Sequence, residues 1–183
     1  MSVVRSVFDW KGLVGGLFKM AVVFSSETQK KIELICSKYP NKQAACMPVL
    51  HLAQEEYGCL SDEVLIAVSD VLELSYAHVY GVATFYTMYH RKKVGKNILM
   101  VCTNVSCMLR GAEKTLAAFE EQLGVKAGET TPDGEFTIIE EECLAACAGA
   151  PAVICDKEYF LDVTADKVED VISACKNRSQ GVL

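Results

Sequence analysis

Four cysteines in this sequence have a spacing that could bind a metal or an iron-sulfur group. Cys102 and Cys107 form a CxxxxC pair, and Cys143 and Cys147 form a CxxxC pair after an interval of 35 residues. Two short pairs this far apart converge only if the fold brings two loops together. Because thiolate sulfur is a soft ligand that binds iron strongly, the pattern predicts an iron-sulfur cluster and therefore an electron carrier.

Other uses of these cysteines stay open on spacing alone. Zinc binds four cysteines in pairs that are two to four residues apart, so both spacings lie near the edge of its range. Two disulfides would need an oxidising compartment, whereas nine cysteines without a regular framework or a signal-peptide pattern indicate a reducing one. The sequence contains no CxxC redox motif, and four unrelated core cysteines are the remaining interpretation.

Each of the four cysteines is predicted to lie at the end of a regular element. The continuous apolar run 97–102 is typical of a strand buried on both faces, with Cys102 as its last residue. Cys107 is expected to open the next helix, Cys143 to follow a second strand, and Cys147 to precede a hairpin. The predicted order is a strand over 97–102, a helix over 110–123, a strand over 136–141, hairpin strands over 152–155 and 159–163, and a last helix capped by Thr164. This order predicts a mixed sheet covered by helices, similar to a thioredoxin-like fold.

The first half of the chain has a helical pattern of apolar residues. Capping serines at 26, 61 and 75, together with a stop at Gly58, indicate four helices, of which the fourth is expected to end at Gly81. The helical or extended state of residues 84–89 stays open. We therefore predict an α+β or α/β chain in which a tail over 1–24 and an N-terminal helical bundle over 25–92 precede a thioredoxin-like 2Fe-2S ferredoxin domain over 93–183.

Composition excludes several classes of protein. A hydrophobic content of 51% with 23% charged residues is typical of a globular protein, and no apolar run approaches the roughly 18 to 20 residues that cross a bilayer. The net charge is −6 and the basic residues are no denser than at 90–93, so nucleic acid is not expected as a partner. Residues 1–20 admit three interpretations, which are a targeting or surface segment, an ordered tail on a partner, and a translated leader before Met20.

Five motifs along the chain resemble one known family. Two contain the cysteine pairs, one lies between these pairs, and two lie in the helical half. They are VCTNVSCMLRG at 101–111, GETTPDG at 128–134, ECLAACAGAP at 142–151, PVLHLAQ at 48–54 and GVATFYTM at 81–88. Together they resemble the thioredoxin-like 2Fe-2S subunit of NADH:quinone oxidoreductase, respiratory complex I. The family usually has glycine where this chain has Ala145, so the loop around Cys143 is expected to differ slightly.

The resemblance implies a specific function. Cys102, Cys107, Cys143 and Cys147 would bind the iron of a 2Fe-2S cluster that accepts an electron from FMN. FMN and NADH would both be bound by a partner flavoprotein of the NADH dehydrogenase module, and the sequence has no GxGxxG after a strand that would bind a nucleotide. The isolated chain would carry electrons and have no catalytic residue of its own. The implied location is peripheral, on the cytoplasmic side of the inner membrane or on the matrix side in a mitochondrion.

Three further functions stay open beside this one. Similar subunits occur in NAD-linked or electron-bifurcating hydrogenases and formate dehydrogenases, which only the partner distinguishes. A zinc-bound scaffold protein and a free thioredoxin-like ferredoxin are the other two. Of the remaining cysteines, Cys36, Cys155 and Cys175 are predicted to pack in cores, and Cys59 is predicted to be the most exposed.

Overall fold

A computed structural model of the protein describes residues 22–179. The chain divides into two compact units, with the boundary between Tyr86 and Thr87. Most of the predicted tail over 1–24 lies outside the described residues. None of the helices within 22–179 is long and apolar enough to cross a membrane.

Four helices form the first unit, and their apolar faces pack on one another. Val49, Leu50, Leu65, Leu72 and Val79 are fully buried, which removes one stripe of each of the last three helices from water. The helices are α1 (Ser26–Lys38), α2 (Cys46–Tyr57), α3 (Asp62–Leu72) and α4 (Tyr76–Phe85).

Most of the predicted helix ends agree with the structure. Ser61 and Ser75 cap α3 and α4, and Gly58 ends α2 with a φ of 76°. Two predictions are wrong. The cap of α1 is Ser25, one residue before the predicted Ser26, because the Ser25 side chain accepts the Thr28 N–H. Helix α4 continues past Gly81 to Phe85, since one helical glycine costs only about 1 kcal/mol and burial continues beyond it.

The second unit is built on a four-stranded mixed sheet, as the sequence predicts. The strand order is β2-β1-β3-β4, in which β1 and β2 are parallel and the other two pairs are antiparallel. The strands are β1 (Asn97–Cys102), β2 (Phe136–Glu141), β3 (Val153–Cys155) and β4 (Glu158–Phe160). The predicted bounds of β1 and β2 are confirmed, whereas both hairpin strands are shorter than predicted.

Three helices accompany the sheet, namely α5 (Val105–Leu109), α6 (Ala112–Leu123) and α7 (Val168–Ser179). The single helix predicted over 110–123 is wrong at its start, because Gly111, with a φ of 92°, separates α5 from α6. Cys107 therefore lies inside α5, which Asn104 caps, and does not open α6. Before α7, residues 165–167 form a short 3-10 turn that follows Thr164.

The core of the second unit joins the sheet to α6 and α7. Leu99 and Ile138 from the central strands and Phe119 from α6 are fully buried in one cluster. The predicted buried face of α7 is confirmed, and it consists of Val168, Val171, Ile172 and Cys175. This core holds the carboxyl ends of β1 and β2 in place, which is where the cysteine-bearing loops begin.

Candidate metal centre

Both cysteine-bearing loops leave the sheet at the same edge. In the parallel pair of β1 and β2, Cys102 lies opposite Glu141, so the residues after each strand emerge side by side. The Thr103 N–H donates to the Glu141 carbonyl at 3.1 Å, which continues the pairing by one residue. Cys143 follows Glu141 by two residues. The pairing of two strands about 40 residues apart thus brings the loops that carry the two cysteine pairs to the same end of the sheet.

Cys102 and Cys107 lie in contact in an apolar surrounding. Both are buried, in a small cluster that includes Ala112, Leu144 and Ala152. Burial is the main cause that raises the pKa of the Cys107 thiol, and its hydrogen bond with Cys102 and the nearby charge of Cys147 raise it further. The backbone amide of Ala152 hydrogen-bonds Cys107 and partly offsets this effect.

Cys143 and Cys147 occupy the exposed side of the same region. The Ala145 N–H donates to the Cys143 sulfur at 3.4 Å, and Cys147 begins a short 3-10 turn over Cys147–Gly149. Cys147 lies near enough to Cys107 to affect its pKa. One thiol pair is therefore dry and the other is open to solvent.

The structure brings the cysteines together only in part. Within residues 22–179, no group of three or more His, Cys, Asp and Glu side chains is arranged to hold a metal ion. Cys102 and Cys107 are hydrogen-bonded to each other, while the Cys143 sulfur accepts the N–H of Ala145 in its own loop. The four-cysteine ligand set stays a prediction. Its chemistry suits iron and sulfide, since all four donors are thiols and small apolar residues surround two of them.

The loop that carries Cys143 and Cys147 has an unusual backbone at Ala145. Its φ is 56°, a left-handed conformation that alanine disfavours by roughly 1–2 kcal/mol. Alanine here adopts a backbone conformation that glycine adopts more easily, and the expected difference of this loop from that of the family stays a prediction. The Tyr159 hydroxyl donates to the Leu144 carbonyl at 3.1 Å, which fixes one end of the loop. The other end lies against the hairpin, since a Cβ on Gly149 would approach Leu161 to 2.8 Å.

These anchoring contacts were not predicted from the sequence. Tyr159 and Leu161 lie on or just after β4, and no spacing relates them to the cysteines. Of the cysteines outside the motif, Cys155 and Cys175 are buried in the core of the second unit, as predicted. Cys36 is only half-buried, like Cys59, because its helix α1 buries just Thr28 and Ile32.

Comparisons with known proteins agree with the motifs. A match to the thioredoxin-like [2Fe-2S] ferredoxin family covers residues 32–176, which include all four cysteines. A subunit of the NADH-quinone oxidoreductase of Rickettsia bellii is 41% identical over 157 residues, covering 84% of this chain and 94% of that protein. NADH dehydrogenase [ubiquinone] flavoprotein 2 of Dictyostelium discoideum is 38% identical over 157 residues. The match to the Dictyostelium protein covers 84% of this chain and 64% of that protein's length.

A solved structure shares the fold at low sequence identity. An NAD+-reducing [NiFe]-hydrogenase in the air-oxidised state superposes with a TM-score of 0.62 and 16% identity. The superposition covers 73% of this chain and 23% of the hydrogenase chain. The family resemblance and the thioredoxin-like ferredoxin fold that the motifs imply are therefore confirmed.

Proposed function

Since the chain belongs to the thioredoxin-like [2Fe-2S] ferredoxin family, we propose that it is the electron-transfer subunit of an NADH-quinone oxidoreductase. The observation that carries the proposal is the pairing of Cys102 with Glu141 across β1 and β2, because it brings both cysteine pairs to one edge of the sheet. Cys102, Cys107, Cys143 and Cys147 would bind the two irons of a 2Fe-2S cluster. When bound, such a cluster accepts and releases one electron at a time.

The residues around the thiols suit this role. The Ala112, Leu144 and Ala152 side chains exclude water from Cys102 and Cys107, and burial together with hydrogen bonds to sulfur sets the reduction potential of such sites. The backbone amides of Ala145 and Ala152 already point to sulfur atoms, where they would stabilise thiolate charge. Cys143 and Cys147, on the solvent side, would face the electron donor.

The electron donor would be the FMN of a partner flavoprotein that also binds NADH. Two relatives of the chain, at 41% and 38% identity, are components of NADH-quinone oxidoreductase and of NADH dehydrogenase, which supports this donor. The chain would be a peripheral component of that module, on the cytoplasmic side of the inner membrane or on the matrix side of a mitochondrion. We also propose that 25–92 is a helical bundle domain for docking and that 93–183 is the redox domain. The unit boundary between Tyr86 and Thr87 supports a division close to residue 92.

Single cysteine substitutions test the proposed ligand set. Replacement of any one ligand by alanine should abolish the visible absorption and the reduced-state EPR signal of a 2Fe-2S cluster, because it removes one of four ligands. The four variants are Cys102→Ala, Cys107→Ala, Cys143→Ala and Cys147→Ala. The matched control is Cys155→Ala, which removes a buried thiol from β3 and should retain both signals. Loss of the cluster in Cys155→Ala together with its retention in Cys147→Ala would overturn the assignment.

Two measurements on the native protein test the rest of the proposal. Metal analysis should find iron and labile sulfide, and zinc without either would identify a structural zinc protein instead. Co-purification through a tag on the chain should recover an NADH-oxidising flavoprotein. Recovery of a hydrogenase or a formate dehydrogenase component would retain the cluster but assign the chain to a different enzyme.

A further inference from the structure

A cavity of about 750 Å³ opens in the second unit, between the basic segment 90–93 and the loop 128–130. Its lining combines cationic side chains with the apolar side chains of Val94 and Ile139, both of which are partly exposed. Its volume lies within the range of ligand-binding clefts, roughly 300–1,000 Å³. The four cysteines of the candidate metal centre do not line this cavity.

Two lysines of the basic segment carry positive charge with no acidic partner among the described residues. Lys92 and Lys93 are exposed, and neither forms an ion pair within the part of the chain that the structure describes. The one acidic residue among those lining the cavity is Glu129, whose carboxylate accepts the Lys126 backbone N–H at 2.8 Å. In a chain of net charge −6, this local excess of cations favours an acidic ligand.

The segment is anchored at both ends, so its backbone is held in place. Tyr89, just before it, is only 5% exposed. Just after it, the Gly95 N–H donates to the Thr137 hydroxyl at 2.6 Å, and the Lys96 N–H donates to the Gly134 carbonyl at 3.0 Å. An anchored segment loses less conformational freedom on binding than a mobile loop does.

The hydroxyl groups of the cavity wall are already engaged. Thr130 and Thr137 share a hydrogen bond of 2.8 Å, and Thr137 also accepts from Gly95. Among the other lining groups, the exposed ammonium groups of Lys92 and Lys93 and the apolar surface of Val94 and Ile139 can contact a ligand. A compact inorganic anion would use only the charges, whereas an acidic peptide that carries an apolar side chain would use both.

We propose that this cavity docks an acidic segment of a partner protein. An apolar side chain of the segment contacts Val94 and Ile139, and its carboxylates lie beside Lys92 and Lys93. The inference rests on the proposed function only for the identity of the partner. It adds to that function a charge-selective contact that lies away from the cysteines. Charge pairs at the rim of such a contact mainly accelerate association and select the partner.

A labelled peptide tests the site on the intact chain, independently of the proposed function. Fluorescence anisotropy would follow binding of Glu-Glu-Leu-Glu-Glu to the wild type, to Lys92→Glu/Lys93→Glu, and to the control Lys30→Glu/Lys157→Glu. The control makes the same charge change at two exposed lysines outside the cavity. We expect the wild type and the control to bind, the cavity variant to bind at least about tenfold more weakly, and all binding to weaken as salt rises. Circular dichroism would verify that the variants are folded.

Other outcomes of the peptide experiment overturn the inference. Equal binding by all three proteins would place the peptide elsewhere on the surface. Equal binding of Glu-Glu-Ser-Glu-Glu would eliminate the apolar contact. If inorganic pyrophosphate bound as tightly and displaced the peptide, the cavity would be a small-anion site and not a protein contact.

A second experiment uses the native assembly and separates the two proposals. The wild type, the cavity variant and the control would be isolated through a tag at increasing salt. We expect the cavity variant to lose its partner at a lower salt concentration than the other two proteins, because its rim charges are reversed. Equal retention of an NADH-oxidising flavoprotein by all three would overturn this inference alone. If even the wild type recovered no such flavoprotein, the proposed function would fail while the peptide result still decided the site.

Discussion

Replacement of Gly95 by alanine should strongly destabilise the second unit. Gly95 is buried and packs against the backbone of β2, where an added Cβ would lie 2.6 Å from the carbonyl carbon of Phe136. It would also lie 2.8 Å from the Phe136 nitrogen and 2.9 Å from its Cα. All three are main-chain atoms of a strand, so no side-chain rotation relieves the contact.

The size of the effect follows from these distances. Ordinary contact begins near 3.4 Å, so the two segments must separate by about 0.8 Å (3.4 − 2.6). Overpacking of this kind costs about 1–3 kcal/mol. The shift also weakens the Gly95 to Thr137 hydrogen bond, whose net contribution is about 0.5–1.5 kcal/mol. We therefore expect the free energy of unfolding to fall by about 2–4 kcal/mol.

Urea unfolding followed by far-UV circular dichroism would measure this loss. With a denaturant dependence of about 2 kcal/mol per M, the midpoint should fall by about 1–2 M. The matched control is Gly81→Ala, at an exposed position inside α4 where an added Cβ meets nothing within 4 Å. Because alanine favours helix over glycine, this control should gain about 0.5–1 kcal/mol.

The two glycine variants together distinguish a rigid contact between Gly95 and β2 from an adaptable one. A loss below about 0.5 kcal/mol in Gly95→Ala would show that the 90–96 segment moves away from β2 without strain. The close approach would then not determine where the segment lies. Destabilisation of Gly81→Ala would contradict the finding that its surroundings are open.

Substitutions at three further positions test other parts of the second unit. Ala145→Gly should raise the free energy of unfolding in urea by a few tenths of a kcal/mol, because the relief of left-handed backbone strain exceeds the entropy that glycine adds to the unfolded chain. A lower free energy of unfolding would contradict backbone strain at this residue. Thr115→Val should cost about 1–3 kcal/mol, because it removes the buried 2.8 Å hydrogen bond to the Val163 carbonyl, whereas Thr115→Ser should retain most of the stability. Burial lowers the pKa of His90 below its usual 6.5, so folding favours the neutral form of this side chain. The stability that neutral His90 contributes is present above about pH 6.5 and should be lost as the pH falls below that value. His90→Gln should flatten that part of the pH dependence. The charged groups that line the same cavity are Arg91, Lys92, Lys93 and Glu129, and an unchanged profile would assign the effect to another group.

Local signals in the sequence predicted much of the fold. The bounds of β1 and β2 follow from apolar runs between turn residues, and the caps of α3 and α4 follow from serines that accept backbone N–H groups. The buried face of α7 follows from its helical spacing. Each of these features depends on residues within a few positions of one another.

The incorrect helix ends have a different origin. Glycine often ends a helix, yet α4 continues through Gly81 because Val79 and Ala83 pack on neighbouring helices. Gly111 is likewise a glycine within a helical pattern, but it does interrupt the helix, with a φ of 92°. The sequence around a glycine does not distinguish these two cases, because packing partners from distant segments decide between them.

The sequence by itself determined the donor chemistry of this protein, since four thiols with this spacing and the motifs around them identify the family without coordinates. Tertiary structure alone decided which thiols are dry and which are exposed, and it placed Ala145 in a left-handed conformation. It also decided that a basic segment before β1 forms one wall of a cavity beside β2. The physical reason is the parallel pairing of β1 with β2, because the loops at both ends of these strands take their positions from contacts between residues far apart in the chain, Asn97 with Phe136 at one end and Cys102 with Glu141 at the other.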